Sequence, residues 1–366
     1  MKRREFLTTV MAISIVAAAF FNLLLHAETT LVPTKNDTVK LRFKEDGTFK
    51  IAQITDPHFG ILYPTVPNND KDSIKLIAEI IEIENPQLVV YTGDIIVGGD
   101  IYKGWDDILR PCIESKTPWA VVLGNHDDEA GVNRKQIIDY LKNKPYSVTE
   151  PGPENITGVG NYVLEILNGE KVAFLLYCLD SNAYSPIKEV NGFDWFRPDQ
   201  IAWYKSQSHE YTKQNNGQPF PALAFFHIPL CEYAEMIHFN GSEHWSHKTL
   251  LLCDGKMVPF KGKIIGDRKE YEGTGVNSGM FLAMLECRDV MGTFVGHDHR
   301  NDYIGLRHGI ALGYGRCSGT YIPELHGARL IEISNSGERS FKTWIRLYGG
   351  EKIHDIQVPQ HLIEKK

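Results

Sequence analysis

The sequence contains no CxxC pair, and its six cysteines, Cys112, Cys178, Cys231, Cys253, Cys287 and Cys317, are scattered along the chain. Thiolate zinc sites, which rest on closely paired cysteines, are thereby set aside. Outside the cytosol an even count permits disulfides, with Cys231 and Cys253 nearest in sequence, but a core of this size needs no staple. Free buried thiols are the expectation. Basic charge is also short, with 39 Lys and Arg against 46 Asp and Glu, a formal net charge of −7. A general nucleic-acid binder carries a basic footprint, so that class is excluded, whereas a small phosphorylated substrate is not. Internal repeats, low-complexity tracts and linker-like shifts in composition are absent, which leaves one domain as the economical organisation.

The first 27 residues are of a different kind. "MKRREFL" is basic, Phe6 to Leu25 is largely apolar, and Leu25-His26-Ala27 offers a cleavage site before Glu28. This is the layout of an export signal. "RREFL" resembles a twin-arginine signal, although Thr8 stands where a lysine often follows, so Sec export is the other route. The expectation is a periplasmic or extracellular protein, attached to a membrane only if the apolar segment stays uncleaved. Residues 28–39 then read as a linker, 40–350 as the domain and 351–366 as a C-terminal tail.

Within the domain, "KLRF" and "TFKIAQIT" flank Glu45-Asp46-Gly47 and predict a hairpin over Lys40–Thr55. Apolar runs at Gln87–Thr92, Pro118–Leu123, Ala222–Phe226 and Val290–Val295 predict buried strands, and Tyr162–Leu167, Val172–Leu179, Ala328–Ile333 and Lys342–Leu347 predict further ones. Ile74, Ile77, Ile80 and Ile81 form a helical stripe within Asp72–Glu84, which stops before Asn85-Pro86. Arg134–Lys142, Asp199–Ser206 and Ser278–Glu286 also read as helices. The fold class is α/β, with two packed mixed β-sheets flanked by helices. Residues 232–275, rich in Gly, Lys and His, break the pattern and read as an insertion or lid.

Polar residues recur at the ends of the apolar runs. "IAQITDPH" ends in Asp56 and His58, "QLVVYTGD" in Asp94, "WAVVLGNHD" in Asn125, His126 and Asp127, "ALAFFH" in His227, and "GTFVGHDH" in His297 and His299. In open α/β sheets ligands bind at the carboxyl ends of the strands. Carboxylate, amide and imidazole donors without thiolates suit Mn, Fe or Zn. Gly93, Gly124 and Gly296 let the backbone come close to a ligand. Seven donors exceed what one tetrahedral ion needs, and two ions sharing a bridging carboxylate would use them all.

The ordered series D-x-H, G-D, G-N-H-D, H, G-H-x-H resembles the calcineurin-like metallophosphoesterase superfamily, which includes the purple acid phosphatases. It spans Ile51 to Tyr314. "NSGMFLAML", "FVGHDHRNDY" and "GYGRCSGTY" narrow the resemblance to the branch of Dcr2-type phosphatases and purple acid phosphatase 29-like plant proteins. The resemblance implies an αββα sandwich holding two divalent or mixed-valence ions (Mn, Fe or Zn). It gives Asp56, His58 and His299 to the first ion, Asp94 as the bridge, and Asn125, His227 and His297 to the second. His126 becomes the general acid, and the reaction is attack of a metal-bound hydroxide on a small phosphate ester. One position departs from the purple enzymes: Val97 stands where their G-D-x-x-Y motif carries an iron-binding tyrosine, so a colourless centre is expected.

Asp127 and Asp298 read as residues orienting a ligand histidine from behind. Arg300 and Arg316 read as surface or structural ion pairs, with a phosphate contact as the other role. His238, His244 and His247 read as surface or lid, with a rival H-x-x-H metal site second. Three functions remain in order: phosphomonoester hydrolysis, phosphodiester or nucleotide hydrolysis on the same pair, and a non-catalytic metal-binding protein.

Overall fold

The computed structural model describes residues 39–62, 64–238, 249–251, 257–259, 263–322 and 326–363. The expected export signal, nearly all of the linker, His244, His247 and Cys253 lie outside the described residues, as does the side chain of His238.

In chain order the strands are β1 (Leu41–Arg42), β2 (Thr48–Ile54), β3 (Leu88–Thr92), β4 (Trp119–Val122), β5 (Tyr162–Asn168), β6 (Lys171–Cys178), β7 (Ala222–Phe225), β8 (Thr249–Leu251), β9 (Met257–Pro259), β10 (Ile264–Ile265), β11 (Val290–Val295), β12 (Ile304–Arg307), β13 (Ile310–Tyr314), β14 (Gly327–Ser334), β15 (Phe341–Leu347) and β16 (Lys352–Val358). The helices are α1 (Asn69–Glu84), α2 (Ile101–Glu114), α3 (Arg134–Leu141), α4 (Pro198–Gln214), α5 (Cys231–His238) and α6 (Met280–Cys287). An eight-stranded sheet runs β1-β5-β6-β7-β11-β13-β12-β10, and a six-stranded sheet runs β16-β15-β14-β2-β3-β4. Among the described residues, β8 and β9 pair with each other as a separate two-stranded sheet.

Strand periodicity explains the layering. Along β2, Phe49 and Ile51 enter one buried cluster while Ala52 and Ile54 enter another. Leu223 and Phe225 of β7 share the first cluster, whereas Ala222 and Ala224 join a third. The shared cluster lies between the sheets, where Phe225 and Phe294 stack at 5.6 Å. The second packs the six-stranded sheet on α1, α2 and α3, and the third packs the eight-stranded sheet on α4, α5 and α6. Strands covered on both faces read as continuous apolar runs, which is why β3, β4, β7 and β11 stood out in the sequence. The result is four layers, helix, sheet, sheet, helix.

Three expectations need correction. The turn at Lys44–Thr48 forms, but β1 pairs in parallel with β5 while β2 joins β3 and β14, so the arms enter different sheets and make no hairpin. The expected C-terminal tail is part of the fold over its described residues, 351–363: β16 pairs with β15, and Ile356, Val358 and Leu362 are buried in the intersheet core. The insertion does not begin at 232, because Tyr233 and Met236 of α5 belong to the third cluster. Tyr233 anchors α5 there by donating to the Thr293 carbonyl at 3.0 Å. The five described cysteines are free, as expected.

Candidate metal centre

Five parallel-paired strands, β2, β3, β4, β7 and β11, end at one edge shared by both sheets, and each is followed within a few residues by a donor. Hydrogen bonds sew the two sheets together there. Gln53 Nε2 on β2 donates across to the Val295 carbonyl at 3.0 Å and, within its own sheet, to Thr92 Oγ1 at 2.9 Å. The His297 amide donates to Asp56 Oδ2 at 3.0 Å.

The donors fall into two sets. Asp56, His58, Asp94 and His299 bring ligand atoms within 4.8 Å of one another, as do Asp94, His227 and His297, so Asp94 stands in both. His227 Nε2 lies 3.1 Å from Asp94 Oδ2, His58 Nε2 3.7 Å from the same oxygen, and His299 Nε2 3.5 Å from Asp56 Oδ1.

Two tautomers follow from their partners, because a carbonyl oxygen only accepts. His227 Nδ1 donates to the Thr92 carbonyl at 2.8 Å, leaving the Nε2 lone pair, on the Asp94 side, for a ligand. His297 Nε2 donates to the Glu272 carbonyl at 3.2 Å, leaving Nδ1 for a ligand. Asn125 supplies a further test of fit. Its amide nitrogen donates to the Tyr184 hydroxyl at 3.3 Å, while its buried Oδ1 has no hydrogen-bond partner among the described residues. A buried acceptor left open costs about 1–3 kcal/mol, which a cation in the site would offset. These oxygen and imidazole donors fit divalent ions.

Charge is arranged the same way. Burial works to raise the Asp94 carboxyl, but the charge and hydrogen bond of His227, with those of His58, hold it well below the usual carboxylate range. Burial likewise opposes protonation of His227, yet Asp94 holds that imidazole up at about 9. His297 is pushed down to about 3 by burial and by the nearby His227 charge.

The backbone is strained at the same residues. Asp56, His58, Asp94 and His297 have positive φ values of 53°, 47°, 52° and 77°. Such conformations cost about 1–3 kcal/mol each and cluster at functional sites. Two glycines are required by close approach: a Cβ on Gly124 would collide with Asp94 Oδ1, and one on Gly296 with Thr55 Oγ1 and Asp56 Oδ2.

Some roles differ from those the sequence suggested. Asp127 orients no histidine; its carboxylate accepts from the amides of Asp94 (2.9 Å), Ile95 (2.8 Å), Ile96 (3.1 Å) and Gly124 (2.7 Å), locking two ligand loops together. Asp298 accepts from the Glu272 amide at 3.0 Å and from the Tyr314 hydroxyl, so it acts on His297 only through the strand of chain whose carbonyl that ring touches. Arg316 is buried against Asp302. Arg300 is exposed and its backbone amide donates to Glu270.

His126 stands beside the ligands, its ring 5.6 Å from that of His58. Nδ1 donates to Glu129 Oε2 at 2.7 Å, which leaves Nε2 available. Tyr184 donates to the other Glu129 oxygen at 2.8 Å. Glu129 and Tyr184 were not read from the sequence. The only local signal for Glu129 was its place three residues after His126, and Tyr184 arrives from a distant loop.

The chain is similar to known proteins. The family described as Calcineurin-like phosphoesterase matches residues 49–253. The Arabidopsis thaliana protein named "Probable inactive purple acid phosphatase 29" is 31% identical over 358 residues, covering 86% of this chain and 86% of that protein. "Phosphatase DCR2" of Saccharomyces cerevisiae is 31% identical over 356 residues, covering 89% of this chain and 58% of that protein. Among solved structures, a dimetal phosphatase from Danio rerio aligns with a TM-score of 0.55 at 13% identity, covering 85% of this chain and 98% of that one, a likeness of fold.

Proposed function

This chain belongs to the calcineurin-like phosphoesterase family and is a metal-dependent phosphoester hydrolase, and we propose that it hydrolyses phosphomonoesters at two metal ions. The observation that carries the dinuclear reading is Asp94, whose carboxylate belongs to both donor sets. Asp56, His58 and His299 would hold one ion with Asp94, and Asn125, His227 and His297 the other. Bound there, two divalent ions supply positive charge against phosphate oxygens and acidify water near neutral pH.

The chain's own groups do the rest. Asp94 and Asp56, held ionised, fix the donors in place across the two sheets. Glu129 accepts from His126 Nδ1 and so leaves Nε2 as the nitrogen that would serve the leaving oxygen. Positioned proton donation of this kind contributes about 10²–10⁴-fold. The word inactive in the plant relative's name belongs to that protein; in this chain all seven donors and His126 are present. The monoester reading is supported by the name of the yeast relative, a phosphatase. Diester or nucleotide hydrolysis on the same donors is the alternative outcome.

Hydrolysis of nitrophenyl phosphate against its bis-nitrophenyl diester, after metal stripping and readdition of Mn, Fe or Zn in turn, tests this reading. Metal-dependent turnover favouring the monoester is expected. A preference for the diester would replace it with a phosphodiesterase, and no turnover with metal bound would remove catalysis. We also propose that the basic and apolar residues 1–27 direct export; recovery of the mature protein in the cytosolic fraction would refute that.

A further inference from the structure

The proton donor fixes where the alcohol half of a substrate must lie. His126 Nε2 has to reach the leaving oxygen, so the carbon attached to that oxygen projects past His126 and away from the seven donors. On that side stands the loop that follows β6, Leu179–Asp194, and it presents aromatic surface. The Tyr184 and His126 rings are 6.3 Å apart. Tyr184 stacks on Phe193 at 5.7 Å with an interplanar angle of 28°, and Phe193 in turn sets its edge on the ligand His297 at 4.2 Å.

The wall is built rather than accidental. Tyr184 and Phe193 face each other across an antiparallel bridge closed by Ser185 N–H to the Gly192 carbonyl (3.0 Å) and Asp194 N–H to the Ala183 carbonyl (3.0 Å). The Tyr184 hydroxyl accepts from Asn125 and donates to Glu129, which pins the ring beside the centre. Yet Tyr184 keeps 47% of its surface exposed, although it is held by stacking and by hydrogen-bond contacts with Asn125, His126 and Glu129. Ile187 on the same loop is 43% exposed. An open aromatic face invites a flat partner, and the Glu129 carboxylate alongside disfavours a second anionic group there.

We propose that Tyr184, backed by Phe193, is the specificity-determining surface for the leaving alcohol, and that preferred substrates are phosphomonoesters whose alcohol carries a flat, uncharged ring. This rests on the phosphomonoesterase reading above. The ring could belong to an aryl-bearing alcohol or to a nucleoside base; both offer the same stacking chemistry.

The test compares kcat/KM for 2-phenylethyl phosphate with ethyl phosphate, and for adenosine 5′-monophosphate with ribose 5-phosphate, using the metal-loaded full chain. Each pair shares a primary alkoxide leaving group, so the ratio reports ring binding rather than leaving-group chemistry. The wild type is expected to favour the ring-bearing member about tenfold in at least one pair, and which pair shows it identifies the source of the ring; tenfold corresponds to about 1.4 kcal/mol. Tyr184→Phe and Tyr184→Leu both lose the hydroxyl, so comparing them isolates the ring: Phe keeps the ratio and Leu brings it toward one. Ratios near one in the wild type, or equal ratios in the two variants, would overturn the aromatic surface while leaving the phosphatase reading intact. Absence of turnover on all four esters would overturn both.

Discussion

At the scale of single residues, His126 and Asp127 sit side by side in "GNHD" and do unrelated work. Asp127 spends its carboxylate on four backbone amides, whereas His126 keeps one ring nitrogen open beside the donors. His126→Ala is therefore expected to cost about 10²–10⁴-fold in kcat on an alkyl phosphate. It should cost far less on nitrophenyl phosphate, whose phenolate leaves without a proton. Equal losses on both substrates would mean that His126 binds phosphate rather than donating a proton. The seven candidate donors and His126 could be picked out of the sequence because each follows an apolar strand, and the structure gathers Asp56, His58, Asp94, His227, His297 and His299 into two groups at one edge. Glu129 and Tyr184 were not, since their meaning comes from distances of 2.7 Å and 2.8 Å across turns and loops that no local pattern encodes.

At the scale of elements, buried charge ties α1 to the six-stranded sheet. Glu84, near the end of α1, accepts from Lys50 Nζ on β2 at 3.0 Å, and from Trp344 Nε1 (2.9 Å) and Arg346 Nε (2.8 Å) on β15. Burial works to raise its carboxyl, but the hydrogen bonds from Trp344, Lys50 and Arg346 prevail and lower it below the ordinary value of 4.5. A depressed carboxyl in the folded state means that the unfolded chain binds more protons in this range. Its stabilisation is thus present above the ordinary glutamate value and is lost as pH falls through the folded one. Glu84→Gln should destabilise the protein by about 1–3 kcal/mol at pH 7, since it removes the charge that the half-buried Lys50 and Arg346 face. Urea unfolding at pH 7 and again near pH 3 checks this: the gap between wild type and variant should narrow in acid, and a gap independent of pH would contradict it.

Sequence legibility at this scale followed burial. The doubly covered strands β3, β4, β7 and β11 read clearly, while α2 was missed, its Gly104 and Pro111 breaking the helical signal although Trp105, Ile108, Leu109 and Cys112 are buried. The β12–β13 hairpin was also missed; it turns on His308 and Gly309, both at positive φ, as a two-residue turn of this kind requires. The Glu45-Asp46-Gly47 turn misled in the opposite sense, because a correct turn says nothing about which sheet each arm will join.

Across the whole molecule, two sheets meet at one edge, and Asp94 stands where their donor sets overlap. The strain at Asp56, His58, Asp94 and His297 is held by the core on either side of that edge. Metal content tells most directly whether this edge holds a shared pair. Elemental analysis of the purified protein, after loading with Mn, Fe or Zn and removal of free metal, should give about two ions per chain for the wild type. For Asp94→Asn, which weakens the one ligand both sets share, it should give about one or none, with turnover lost in parallel. Two tightly held ions in that variant with full activity, or a single ion in the wild type, would contradict the dinuclear centre.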